Sequence, residues 1–252
     1  TGGDDTFLVR IVGGALEVRV NGSPISYFVP GGGLTVTLTI NALGGADTLT
    51  TDFSTGALPQ EITFNTTDGN DRTRIIGTGG ASAVVYDPVL DANSRRVVTV
   101  NGTNELLLGN APSIEVNNAG TFQFTRNGSA DVAAFDAVTA PVSNLAALRV
   151  SGTSDGTPFE TIFLSGVATQ ATFDFGAGDL VTTTDTITLN AGSISADPSL
   201  SSLLIQTGNG DDTVQVRTDD YRNNAGGLTP LTVDVGAAAT GGLDTIDITT
   251  DV

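Results

Sequence analysis

The chain has 252 residues, 28 acidic and 10 basic side chains, a formal net charge of −18 and a hydrophobic share of 39%. That share supports a folded core and excludes a disordered chain, while the charge makes nucleic acid and anionic membranes poor partners. Cys, Met, Trp and His are absent, which removes disulfides, thiolate metal sites and Cys or His nucleophiles.

The basic residues are all arginine, and all but five of the acidic residues (Glu17, Glu61, Glu105, Glu115 and Glu160) are aspartate. Aspartate forms turns and ligates hard cations, whereas glutamate would suggest helices. Without an initiator Met the chain is expected to be a processed protein or a fragment. No apolar run approaches the roughly 20 residues that span a bilayer, so membrane insertion is not expected.

Residues 6–29 predict three short strands, TFLVRIV, ALEVRV and SPISYFV. Asn21-Gly22 between alternating apolar residues is a strong hairpin signal, because both tolerate the positive φ of a type I′ turn. This antiparallel meander, with boundaries at residues 1–33, is expected to cap the N-terminal end of the fold. Residues 34–80 carry two copies of a strand, Gly/Asp turn, strand unit. From 81 to 170 the pattern is irregular, with a second Asn-Gly hairpin in VVTVNGTNELLL (97–108) and a worn copy of the unit at 148–164. The stretch 130–147 is weakly helical, interrupted by Pro141.

The clearest copy is LLIQTGNGDDTVQVR (203–217), in which Gly208 and Gly210 allow a tight turn. Asp211, Asp212 and Thr213 then lead into Val214 and Val216, which alternate with Gln215 and Arg217 in the period of a half-buried strand. Related units end at Asp47, Asp71, Asp185 and Asp244, and the chain opens inside one at Gly2-Gly3-Asp4-Asp5-Thr6. Stacked repeats place like residues above one another and share one core. The expectation is therefore an all-β fold, a right-handed parallel β-solenoid over 34–252 continuous with the N-terminal meander, in preference to a β-sandwich.

Residues Gly44–Leu49, Gly69–Ile75, Gly208–Val214 and Gly241–Ile246 resemble the Gly/Asp-rich repeats of hemolysin-type (RTX-like) calcium-binding proteins. The whole chain resembles segments of very large secreted bacterial surface proteins with β-helix repeats. The resemblance implies an extracellular setting at a bacterial surface, calcium as the ion, and a structural or adhesive role without catalysis.

Asp47, Asp71, Asp185, Asp211, Asp212 and Asp244 are the candidate metal ligands. Calcium takes six to eight oxygens, so a complete site needs carboxylates from stacked turns. The other reading gives each Asp a purely local task, accepting backbone N–H groups within its own turn. No catalytic residue is assigned. The alternative function is a glycan-active enzyme of the same fold, a hydrolase or lyase, with Asp131, Asp136, Asp155 and Glu160 as the carboxylates to inspect. The sequons at Asn21, Asn65, Asn101 and Asn127 need no glycan, since three of them are Asn-Gly turns. Expected partners are other copies of the chain or adjoining segments of a longer one, and a surface glycan. Nothing after Asp244 resembles a cap, so the C-terminal end is expected to be completed by further chain or by a second subunit stacked head to tail.

Overall fold

The computed structural model describes residues 3–27, 37–67, 70–90, 95–109, 112–126, 128, 130–177, 179, 183–193, 196–217, 230–237 and 243–249. Of the turn residues named above, Gly2, Gly69, Asn127, Gly241 and Gly242 lie outside that set. The protein is all-β, with a large and mostly parallel sheet. A single 3-10 turn at Phe53–Thr55 is the only helical element among the described residues, and no helix is long and apolar enough to cross a membrane.

Strands β1 (Thr6–Val12), β2 (Ala15–Val20) and β3 (Ser23–Tyr27) form the antiparallel meander expected from the sequence. Asn21 and Gly22 have φ of 51° and 79°, the left-handed pair that a type I′ turn demands. Asn21 also closes the meander. Its amide donates to the Thr6 carbonyl and its Oδ1 accepts the Thr6 amide, both at 2.8 Å.

Two ladders start from here. Strands β4 (Thr37–Asn41), β5 (Thr48–Asp52), β6 (Glu61–Asn65) and β7 (Arg72–Leu90) alternate between them, β5 lying parallel between β1 and the start of β7, and β4 parallel to β6. Long β7 crosses from the first ladder to the second. Its far half pairs antiparallel with β8 (Arg96–Val100), and β9 (Asn104–Leu108) turns back to lie parallel to β6. β10 (Ser113–Thr125) makes the same crossing, parallel to β7 through both halves with register shifts between Asn117 and Thr121. Backbones touch at this corner. A Cβ on Gly120 would stand 2.5 Å from the Gly80 carbonyl oxygen, far inside van der Waals contact.

The next strands, β11 (Asp131–Thr139), β12 (Ala146–Ser154), two-residue β13 (Thr157–Pro158) and β14 (Ile162–Ser165), form a further antiparallel unit in the first ladder. After it the alternation is strict. β15 (Gln170–Asp174), β17 (Leu203–Gln206) and β19 (Leu231–Asp234) stack in parallel below the second half of β10. β16 (Thr186–Leu189), β18 (Thr213–Arg217) and β20 (Thr245–Thr249) stack in parallel below β11.

Two sequence expectations need correction, and the predicted 97–108 hairpin is present as β8–β9. The N-terminal meander also has counterparts: β7–β8–β9 and β11–β12–β14 repeat the arrangement of β1–β2–β3. Their turns repeat it too, with φ of 55° and 66° at Asn101-Gly102 and 50° and 74° at Asp155-Gly156. The stretch 148–164 is thus a hairpin rather than a worn parallel copy. The weakly helical run 130–147 is strand over β11, where Ala133 and Phe135 are buried and Val132 is exposed. Cross-strand burial overrides the helix propensity of alanine there.

The two ladders face each other across one core. Phe135 of the first ladder meets Phe173 of the second edge-on, with ring centroids 5.0 Å apart, and Phe173 lies 5.7 Å from Phe122 and 6.0 Å from Phe124. Below this aromatic cluster the core is aliphatic: Ile187 stacks on Val214 and Leu189 on Val216, all buried.

Candidate functional site

The first ladder carries an aspartate at the head of nearly every parallel strand, and these aspartates bind one another. Asp47 Oδ1 accepts the Asp5 amide (2.7 Å), and Asp71 Oδ1 accepts the Asp47 amide (2.8 Å). A second run repeats the bond: Asp185 Oδ1 takes the amide of Asp131 (2.8 Å), Asp212 Oδ1 that of Asp185 (2.8 Å), and Asp244 Oδ1 that of Asp212 (3.1 Å). The backbone closes the other side of each link, as where Thr48 donates to Asp5 O, Thr213 to Asp185 O and Thr245 to Asp212 O, each at 2.8 Å. Each carboxylate therefore holds the amide of the strand before it.

This corrects the in-turn reading of these positions. Local capping does occur, but at strand ends, where Asp52 accepts from Ser54 (3.0 Å), Asp174 from Gly176 (3.1 Å) and Asp234 from Gly236 (3.2 Å). At the strand heads the amide of the preceding strand replaces the in-turn one. Asp5 and Asp131 belong to the same series, although from sequence the first carries no assignment and the second stands only among the enzyme carboxylates. The signal they share with the others is an Asp immediately before, or at, the first strand residue.

One part of the series carries more charge than the hydrogen bonds offset. Asp185 and Asp212 are fully buried, and each keeps an Oδ2 that accepts no hydrogen bond. Asp211 Oδ1 and both oxygens of Asp179 are likewise buried without partners. Burial, reinforced by the charges of Asp131 and Asp212, pushes the Asp179 carboxyl up to about 7. Burial pushes Asp185 up to about 8, with the Asp131 amide pulling the other way and Asp179 adding to the rise. Burial raises Asp212 and Asp131 as well. Asp179 is the member that sequence reasoning misses; it stands six residues before Asp185, and its Oδ2 lies against Gly208.

The donor type fits a hard divalent cation, since the orphaned atoms of this group are all carboxylate oxygens. A formed cage is not present: among the described residues no three acidic side chains converge in ligating geometry. The orphaned oxygens single out Asp185, Asp211 and Asp212 from the six candidate ligands. Asp47, Asp71 and Asp244 serve as ladder acceptors.

The candidate enzyme carboxylates are dispersed in their tasks. Asp136 binds Arg149 (2.7 Å) and Asn190 (2.7 Å) on the outer face of β11. Glu160 is buried against the Tyr86 hydroxyl and the Arg96 guanidinium, and Asp155 occupies the left-handed position of a hairpin turn. No protein-family model, curated protein or solved structure matches this chain. The chemistry of the aspartate series itself is what bears on function.

Proposed function

We propose that the chain is a right-handed parallel β-solenoid segment acting as a non-catalytic structural or adhesive module of a secreted bacterial surface or matrix protein. The RTX-like Gly/Asp turns and the carboxylate links between successive strands support this reading. So does the engagement of Asp136 and Glu160 by arginines, which leaves neither free as an acid or nucleophile. Calcium is the proposed ion, drawn to the charge at Asp179, Asp185, Asp211 and Asp212.

A single observation carries the proposal furthest. Ile246 and Ile248 stand in register with the buried Val214 and Val216, on the face that forms the core, yet they are 48% and 64% exposed. Among the described residues, strand β20 pairs only with β18, and β19 only with β17. Such an edge is a template for another strand, and the occupant we assign is a further turn of the same kind, from a second copy or from adjoining chain.

Light scattering across a concentration series tests the self-association arm. The expected apparent mass rises with concentration, and Ile246→Lys/Ile248→Lys abolishes the rise by placing charge on the edge. A wild-type chain that stays monomeric at every concentration would contradict head-to-tail stacking.

A further inference from the structure

A pocket on the outer face of the first ladder adjoins the aspartate series at Asp71 and lies apart from the free edge. It is a cavity of about 410 Å³. Its floor is formed where β7, β10, β14 and β12 run side by side, and Pro141 forms one wall. That wall is anchored. The buried Glu115 carboxylate accepts the amides of Val142 (2.9 Å) and Ser143 (3.0 Å), tying the β11–β12 connection down onto the sheet. Asn144 N donates to Ala140 O (3.1 Å) and Ala140 N to Leu145 O (2.8 Å), which close the connection into a tight loop.

We propose that this pocket binds a carboxylate-bearing sugar. Arg72 is exposed at its rim, and no ion pair joins it to any described residue. Arg149 commits Nε and Nη2 to Asp136 (3.3 and 2.7 Å), which leaves its Nη1 for a ligand. Asp71 also lines the pocket, but it is buried and its Oδ1 holds the Asp47 amide (2.8 Å), so the guanidiniums are the charged groups that face a ligand. A planar guanidinium with parallel N–H donors matches a carboxylate bidentately.

The remaining lining fits the rest of a sugar. Ser113, Ser151 and Thr161 supply hydroxyls that donate and accept, and the half-buried Phe163 offers an apolar ring face. An inorganic anion would use only the arginines and leave most of the cavity unfilled. An extended peptide would add to a strand edge, and the strands flooring this pocket are paired on both sides. Nucleic acid is disfavoured by the net charge.

The test titrates the intact chain with glucuronate, glucose and inorganic sulfate, followed by amide chemical shifts. Saturable binding of glucuronate is expected, with shifts centred on residues 72, 113, 149–151 and 161–163, and no saturation with glucose. Arg72→Ala should weaken glucuronate at least tenfold with an unchanged melting temperature, since the side chain is exposed; Arg72→Lys should recover only part of the loss. Sulfate binding as tightly as glucuronate, an Arg72→Ala variant that binds normally, or no saturation by glucuronate would each overturn the proposal.

Discussion

Gly208→Ala should destabilise the protein by about 2–5 kcal/mol, combining a left-handed backbone penalty with overpacking. Gly176, Gly208 and Gly236 follow β15, β17 and β19 and stack backbone on backbone. A Cβ on Gly208 would lie 2.5 Å from Gly176 Cα, and one on Gly236 would lie 1.6 Å from the Gly208 carbonyl oxygen. Neither contact involves a side chain that could rotate away, so the strands above and below must part. With φ of +81° at Gly208, the methyl is also in a conformation that L-residues avoid. Gly14→Ala isolates that second effect: its φ is also +81°, but nothing lies within 4 Å of the added atom. It should lose about 1–2 kcal/mol. Equal melting-temperature losses for the two variants would mean that the corners are not packed as described.

The second large effect is the pH dependence of stability. Asp185 and Asp179 have folded-state values near 8 and 7, against about 3.9 in an unfolded chain. Between these limits the native state holds protons that the unfolded state has released, so stability falls as pH rises. With chelator present, lowering the pH from about 8 to about 5 should raise the melting temperature by several degrees, on the order expected from the linkage. Calcium should raise it most at pH 8, where the carboxylates are charged, and should flatten the slope. A calcium-independent melting temperature at pH 8 would rule the ion out, and a flat chelator profile would contradict the buried, uncompensated charge.

The features behind these two effects differ in how far the sequence reveals them, and so do the elements around them. The Asn21-Gly22 and Asn101-Gly102 hairpins are legible because a two-residue turn is fully local, and the strand alternation after 170 is legible because its units are nearly regular. The meander β7–β8–β9 is not. Its consequence, β9 lying beside β6, joins Phe64 to Leu108 across a distance in sequence that no local pattern encodes. The Ala-rich β11 is hidden for a related reason, since the burial that makes it a strand comes from partners in β12 and β16.

For the site, the residue type and position are legible while the geometry is not. An Asp before a strand reads equally as a turn cap or as a metal ligand. Only the vertical alignment of Asp185 on Asp212 decides that its neighbour's amide is held by a carboxylate from the next strand. Asp179 escapes notice because a Gly-Ala-Gly-Asp sequence does not reveal that its carboxylate faces inward. The polar outer pocket is invisible as well, since Arg72, Arg149 and Thr161 meet only through sheet pairing.

Amide hydrogen exchange at Asp185, read by NMR in the wild type and in Asp212→Ala, tests the aspartate ladder most directly. If successive strands are tied carboxylate to amide, the buried Asp185 N–H is strongly protected in the wild type. Asp212→Ala then speeds its exchange by about tenfold or more, the loss of one hydrogen bond to a charged group, while the Asp47 amide, held by Asp71, keeps its rate. An Asp185 amide that exchanges equally in both proteins would contradict the ladder.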